Sequence, residues 1–159
     1  MKKLVVYYSL QGNTKLIARK VAEEMGAELL ALKPEKPLNP RGVMKFLRGG
    51  KQVFFKEKPP LKPLKKDPLA YDLICIGTPV WAATFAPPVR TFLDTCPLKH
   101  KKLAFFCCFG GGPAGCLSDL EKALDDNEIL GSIAFREPRR KDTAENLEKA
   151  AAWAKKISA

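Results

Sequence analysis

Three short stretches carry residue types suited to chemistry: Ser9-Leu10-Gln11-Gly12-Asn13-Thr14, Thr78-Pro79-Val80-Trp81-Ala82-Ala83 and Cys108-Phe109-Gly110-Gly111-Gly112. The first breaks an apolar run, Leu4 to Tyr8, and precedes a helical pattern. A helix starting near Thr14 leaves its first backbone N–H groups unpaired, with partial positive charge around them. A loop of small residues can fold such groups around a phosphate. Gly12 permits close backbone approach, and Ser9, Asn13 and Thr14 add side-chain donors. The bland alternative is a tight turn in which Asn13 or Thr14 caps the helix. No G-K-[ST] follows, so the stretch is not a Walker A loop.

Trp81 leaves the third apolar run between small neighbours. A tryptophan exposed in such a loop could cover a planar ring, or it could be an ordinary packed aromatic. In the third stretch Gly110, Gly112 and Gly115 match G-x-G-x-x-G. Pro113 interrupts that match, and it follows the fourth strand pattern rather than the first. Asp125 and Asp126 come too early, and Glu137 too late, for a ribose-binding acid. A glycine loop closing over a flat ligand is the preferred reading. The five cysteines form no C-x-x-C pair, and His100, the only histidine, sits in the charged turn LKHKK. That spacing supports neither a metal centre nor a disulfide framework, and no nucleophile stands fixed beside His100.

The elements that must position these stretches alternate along the chain. Strand-like runs occur at Leu4–Ser9, Glu28–Leu32, Leu73–Gly77, Leu103–Phe109 and Ile129–Phe135. Helical spacing falls between them: Leu16, Ile17, Val21 and Met25, stopped by Gly26; Pro87-Pro88 leading into Val89, Phe92 and Leu93; and Leu117, Leu120 and Leu124. A last helix opens at Asp142 with Glu145 in capping-box position and aligns Leu147, Ala150, Ala151 and Ala154. Nearly continuous apolar strands separated by helices predict an α/β fold, a three-layer doubly wound open sheet of five parallel strands. In the order 2-1-3-4-5, the helices after strands one and three leave to opposite faces, so their loops diverge into a crevice. The glycine loop after strand four borders the same crevice.

A chain of 159 residues suits one domain, 1–159, and its 46% hydrophobic content excludes a disordered class. The longest wholly apolar run, Leu103 to Phe109, is too short to span a bilayer. The N-terminus lacks the pattern of a secretory signal, so a cytoplasmic protein is expected. The net charge of +11 is local: residues 33–68 hold eleven Lys/Arg against three acids, leaving +3 elsewhere. This Pro-rich connection contains a helix candidate from Asn39 and Pro40 to Gly49, then Val53, Phe54 and Phe55. It reads as a solvated basic linker or as a docking surface for an acidic partner. Aromatic interleaving limited to Phe54 and Phe55 argues against a nucleic-acid binder.

The segments S-L-Q-G-N-T, G-T-P-V-W-A-A-T-x-A-P-P-V-x-T-F-L and F-G-G-G, in this order, resemble the flavodoxin family across essentially the whole chain. The resemblance implies noncovalent FMN. Ser9 to Thr14 would hold its 5′-phosphate, and Pro79 to Ala83 and Phe109 to Gly112 would flank the isoalloxazine ring. Trp81 would shield one face, with Thr78 and Cys108 completing the contact set. The chain departs from many members at Gln11, where threonine is common, and at Ala82-Ala83, where a glycine often follows the aromatic residue. Phe109 is the nearest aromatic to the position of a second stacking tyrosine. The expected function is electron transfer between redox protein partners with acidic docking surfaces. The alternative is an FMN-dependent NAD(P)H oxidoreductase acting on a quinone or other small acceptor. If the 33–68 segment lay close to the ring, its cations would make the potential of the reduced flavin less negative.

Overall fold

The structure, a computed structural model, describes residues 1–39, 41 and 58–159. Among these the strands are β1 (Lys3–Tyr7), β2 (Glu28–Ala31), β3 (Leu73–Trp81), β4 (Thr84–Phe85), β5 (Lys102–Phe109) and β6 (Glu128–Arg136). The helices are α1 (Asn13–Met25), α2 (Pro87–Thr95), α3 (Cys116–Ala123) and α4 (Thr143–Ser158). Five strands pair in parallel in the order β2-β1-β3-β5-β6. This is the expected 2-1-3-4-5 order, with β5 and β6 as its fourth and fifth strands. The two-residue β4 pairs antiparallel with the end of β3.

Side-chain alternation sorts the core into two layers. Leu4 and Val6 of β1, with Tyr8 just past it, join Ile74, Ile76, Leu103 and Phe105 on the face covered by Val89 and Phe92 of α2 and Leu120 of α3. Val5 and Tyr7 join Cys75, Ala104 and Phe106 on the opposite face, under Ile17 and Val21 of α1 and Ala150, Ala154 and Ile157 of α4. The strands read as unbroken apolar runs because both faces are covered. Pro87 and Pro88 occupy the first turn of α2, where missing N–H groups cost nothing.

Three local expectations change. The apolar run predicts a strand over Leu73–Gly77, but β3 runs to Trp81 because Val80 and Trp81 pair back onto Phe85 and Thr84. The capping box at Asp142 does not form. Asp142 is left-handed, with φ of 47°, and its side chain makes no cap bond. A side-chain cap needs extended backbone at that residue. The helix still opens with its ordinary backbone bond, Asn146 N–H to the Asp142 carbonyl at 2.8 Å, and Asn146 Nδ2 ties the preceding turn by donating to the Lys141 carbonyl at 2.9 Å. The buried face of α4 is accordingly Asn146, Ala150, Ala154 and Ile157, with Leu147 and Ala151 at its border. Asn39 Oδ1 accepts from the Arg41 N–H at 2.9 Å. The remainder of the helix candidate, with Phe54 and Phe55, lies outside the described residues.

One contact locks the sheet centre. Gly77 of β3 stands opposite Phe106 of β5, whose ring lies across it. A Cβ at Gly77 would sit 2.1 Å from Phe106 Cζ. The ring is fully buried and meets Trp153 of α4 edge-on at 6.4 Å. Gly77→Ala is therefore expected to lower the unfolding free energy by about 2–3 kcal/mol through overpacking. Urea unfolding should show a smaller loss when the same change is made in a Phe106→Leu background, where the ring no longer blocks the added methyl.

Candidate functional site

The β1–α1 loop is built around Ser9. Its Oγ accepts from the backbone N–H of Gly12 and of Lys15, each at 3.1 Å. The hydroxyl proton therefore remains available to an acceptor. Gly12, with φ of 96°, is the cap residue before the first helical turn and offers no side chain, so Ser9 Oγ takes the Lys15 N–H of that turn, while among the described residues no hydrogen bond takes those of Asn13 and Thr14. Neither Asn13 nor Thr14 serves as the cap that a plain turn would use. The first turn of α1 contains no acid, and Thr14 is 1% exposed. This donor set, free of nearby negative charge on its own helix, suits an anion.

The second loop differs from its expected form. Trp81 is 5% exposed rather than displayed in a loop, because it is the last residue of β3. It meets Tyr8 edge-on, with ring centroids 5.6 Å apart and planes at 89°. Ala82 and Ala83 make the two-residue hairpin turn, both left-handed with φ of 47° and 68°. Such a turn ordinarily takes Asn-Gly, and each alanine costs about 1 kcal/mol there. Three hydrogen bonds hold the turn. Thr78 Oγ1 accepts from the Ala86 N–H at 3.0 Å and donates to the Pro79 carbonyl at 2.8 Å. Thr84 Oγ1 donates to Asp119 Oδ2 on α3 at 2.8 Å.

The third loop leaves β5 at Phe109, and Gly110 to Gly112 are exposed. Cys108 is buried beside Thr14, and burial pushes its thiol well above the ordinary range. Cys116 lies in the core against Cys107; the thiol–thiol hydrogen bond, then burial, raises its pKa. Both are poor candidates for a reactive thiolate.

These loops enclose a crevice of about 230 Å³ at the carboxyl edge of the sheet. Ser9, Leu10, Gln11, Asn13, Thr14, Pro79, Val80, Trp81, Cys108, Phe109, Gly110 and Gly111 line it. Among the expected residues, Gly12, Thr78, Ala82, Ala83 and Gly112 do not form its wall. Gly12 and Thr78 shape the loops that do. Glu137, set aside on spacing, lines the crevice and is the one charged side chain among its described lining residues. It sits just past β6, where Arg136 pairs with Phe109. Its position at a parallel strand's carboxyl end was the available signal. The ion pair with Lys141, at 2.9 Å, holds its carboxyl below the usual range. A larger hollow, about 480 Å³, opens at the other end of the sheet around Asp72, His100, Asp126 and Glu128. Two of its acids are engaged locally: Asp72 accepts the Lys2 N–H at 2.7 Å, and Asp126 pairs with Lys99 at 3.7 Å. Lys101 Nζ is likewise taken, by the Leu69 carbonyl at 2.7 Å, and no Phe, Tyr or Trp is among its described lining residues.

A family model described as flavodoxin matches residues 2–157. The chain belongs to the flavodoxin family. Among solved structures, this flavodoxin-family protein is similar to a candidate flavoprotein from Bacteroides eggerthii DSM 20697. That match has 25% identity and a TM-score of 0.80, covering 99% of this chain and 98% of the other. It is also similar to a flavoprotein from Lactobacillus acidophilus NCFM in complex with FMN. There the identity is 28% and the TM-score 0.66, covering 89% of this chain and 97% of the other. A flavodoxin from the domain Archaea shares the fold at 16% identity and a TM-score of 0.64, covering 99% of this chain and 96% of that one. No curated protein matches by sequence. Among the described residues no helix is long and apolar enough to cross a membrane.

Two outcomes test the geometry of the hairpin. Replacing Ala82-Ala83 by Asn-Gly is expected to stabilise the protein by about 1–2 kcal/mol, seen as a higher melting temperature. Burial pushes the Tyr8 hydroxyl up to about 12. Its neutral form is favoured by folding, so its contribution is intact below the unfolded value of about 10 and is lost as pH rises toward 12. Tyr8→Phe should flatten, without abolishing, the alkaline fall in stability, since Tyr7 and Tyr71 are also raised.

Proposed function

We propose that this protein binds FMN in the crevice and carries electrons between redox protein partners. The observation that carries the reading is the junction of two unlike surfaces in one crevice. One end has the hydroxyls of Ser9 and Thr14 and the acid-free start of α1. The other has Pro79, Val80, Trp81 and Phe109. The first suits a phosphate, and the second suits the face of a flat apolar ring. FMN carries both, and when bound it supplies the redox chemistry. Ser9 Oγ–H and the N–H groups of Asn13 and Thr14, the first two of α1, would bind and orient the phosphate. Trp81, held edge-on by Tyr8, would exclude water from one wall. The exposed glycines after Phe109 leave the third wall thin enough for close approach by a partner.

The described lining of the crevice carries its own charge. No described residue of that segment lines the crevice, whereas Glu137 does. A carboxylate facing the site disfavours added negative charge on a reduced ligand. The exposed Lys33, Lys36, Lys62 and Lys65 belong instead to the outer surface, where they favour acidic partners in a salt-sensitive way.

Titrating apoprotein with FMN and with riboflavin, followed by flavin fluorescence, is expected to show FMN bound at least tenfold more tightly. That ratio corresponds to about 1.4 kcal/mol for the phosphate contacts. Ser9→Ala should reduce FMN affinity about tenfold, the cost of one charge-assisted hydrogen bond. Equal affinity for the two flavins would refute the phosphate assignment. Steady NADPH oxidation by isolated holoprotein, with no partner added, would replace the carrier reading by the oxidoreductase one.

A further inference from the structure

Residue 139 lies on the connection from β6 to α4, more than a hundred residues from the β1–α1 loop, yet it is bound to that loop at three points. Arg139 Nη1 donates to the Gln11 carbonyl. The Arg139 backbone N–H donates to Asn13 Oδ1 at 3.0 Å. Its side chain also covers Gly12, so that a Cβ there would sit 3.0 Å from Nη1 and 3.1 Å from Cδ. Arg139 is exposed and does not line the crevice, so any influence on a ligand must act through the loop.

We propose that Arg139 is a positioning residue that sets the Ser9–Thr14 loop so that its donors face the crevice, making the site selective for a phosphorylated ligand. In a trans peptide the C=O and the following N–H point in opposite directions. With the Gln11 carbonyl held toward the guanidinium, the Gly12 N–H turns the other way, where it meets Ser9 Oγ at 3.1 Å. Release of that carbonyl would let the peptide rotate and bring an acceptor toward an incoming anion. The Asn13 amide is set by the same residue. Asn13 lines the crevice, and with its Oδ1 occupied by the Arg139 N–H the side-chain atom left to a ligand is Nδ2, a pure donor.

The same short segment also reaches the glycine loop. The Glu137 N–H donates to the Phe109 carbonyl at 2.9 Å, and buried Pro138 separates this anchor from Arg139. Glu137-Pro138-Arg139 thus holds the phosphate end and the ring end of the crevice at a set spacing. Of the neighbouring cations, Lys141 is paired with Glu137. Arg136 and Arg140 are exposed, and neither is hydrogen-bonded to the β1–α1 loop as Arg139 is.

The ligand's identity rests on the FMN reading; the loop polarity does not. The test therefore uses wild-type protein, Arg139→Ala and Arg139→Lys, in apo and flavin-loaded forms. In apo Arg139→Ala, amide exchange at Gly12 and Lys15 is expected to accelerate about tenfold while the interior of α1 is unchanged. FMN affinity should fall about tenfold and riboflavin affinity by less than twofold, with Arg139→Lys intermediate because an ammonium can still reach the Gln11 carbonyl. Unchanged exchange at Gly12, or equal weakening of both flavins, would overturn the proposal. If wild-type apoprotein took up neither flavin, the FMN reading would fail by itself. Titration with inorganic phosphate, read at the Gly12 and Asn13 amides, would then decide: shifts lost in Arg139→Ala support the proposal, and identical shifts in both proteins refute it.

Discussion

The hydrogen-bonded pairing of β1 with β3 is the constraint from which the site follows. Lys3 to Tyr7 run in register with Leu73 to Gly77, strands separated by β2 and the whole basic connection. Parallel neighbours cannot be joined by a tight turn, so each must send its chain away over the sheet. After β1 the chain goes to the face holding Ile17 and Val21; after β3 it goes to the face holding Val89 and Phe92. The two loops splay apart, and the space between them is the crevice. Without that adjacency, Ser9 and Trp81 would have no common surface.

Around this crevice, rigidity is supplied from outside. Thr78 and Thr84 fasten the hairpin that carries Trp81, one to its own strand and one to α3. Ser9 gathers two backbone N–H groups, and Arg139 draws the Gln11 carbonyl the other way. Tyr8 supports Trp81 from inside the core. Most of these groups do not touch the crevice space. They reduce the reorganisation needed when a ligand arrives, which is how a small number of polar contacts can discriminate between related molecules.

Charge is partitioned in the same spirit. A chain of net charge +11 presents, among the described lining of its crevice, a single ionised side chain, and that one is acidic. The exposed Lys33, Lys36, Lys62 and Lys65 stand outside that lining. Such exposed charge acts through screened long-range attraction rather than through contact with the crevice. Placing Glu137 against the crevice and Lys141 against Glu137 shows how local pairing can oppose the overall sign.

Much of this protein was legible in its residues. The alternation of apolar runs with helical spacing, and proline at the start of α2, follow from local sterics and burial, which a sequence states directly. The donor-rich Ser9–Thr14 segment and the Phe109–Gly112 loop were visible for the same reason. Other features depended on contacts between distant segments. Trp81 is buried because Thr84 and Phe85 fold back on β3, and Asp142 fails as a cap because its backbone is left-handed. Gly77 must be glycine because Phe106 lies across it from another strand. Glu137 and Arg139 join the site only through the parallel pairing of β6 with β5. Periodicity and composition encode what each segment buries; which segments meet, and which way a carbonyl or carboxylate then points, is set when the sheet assembles.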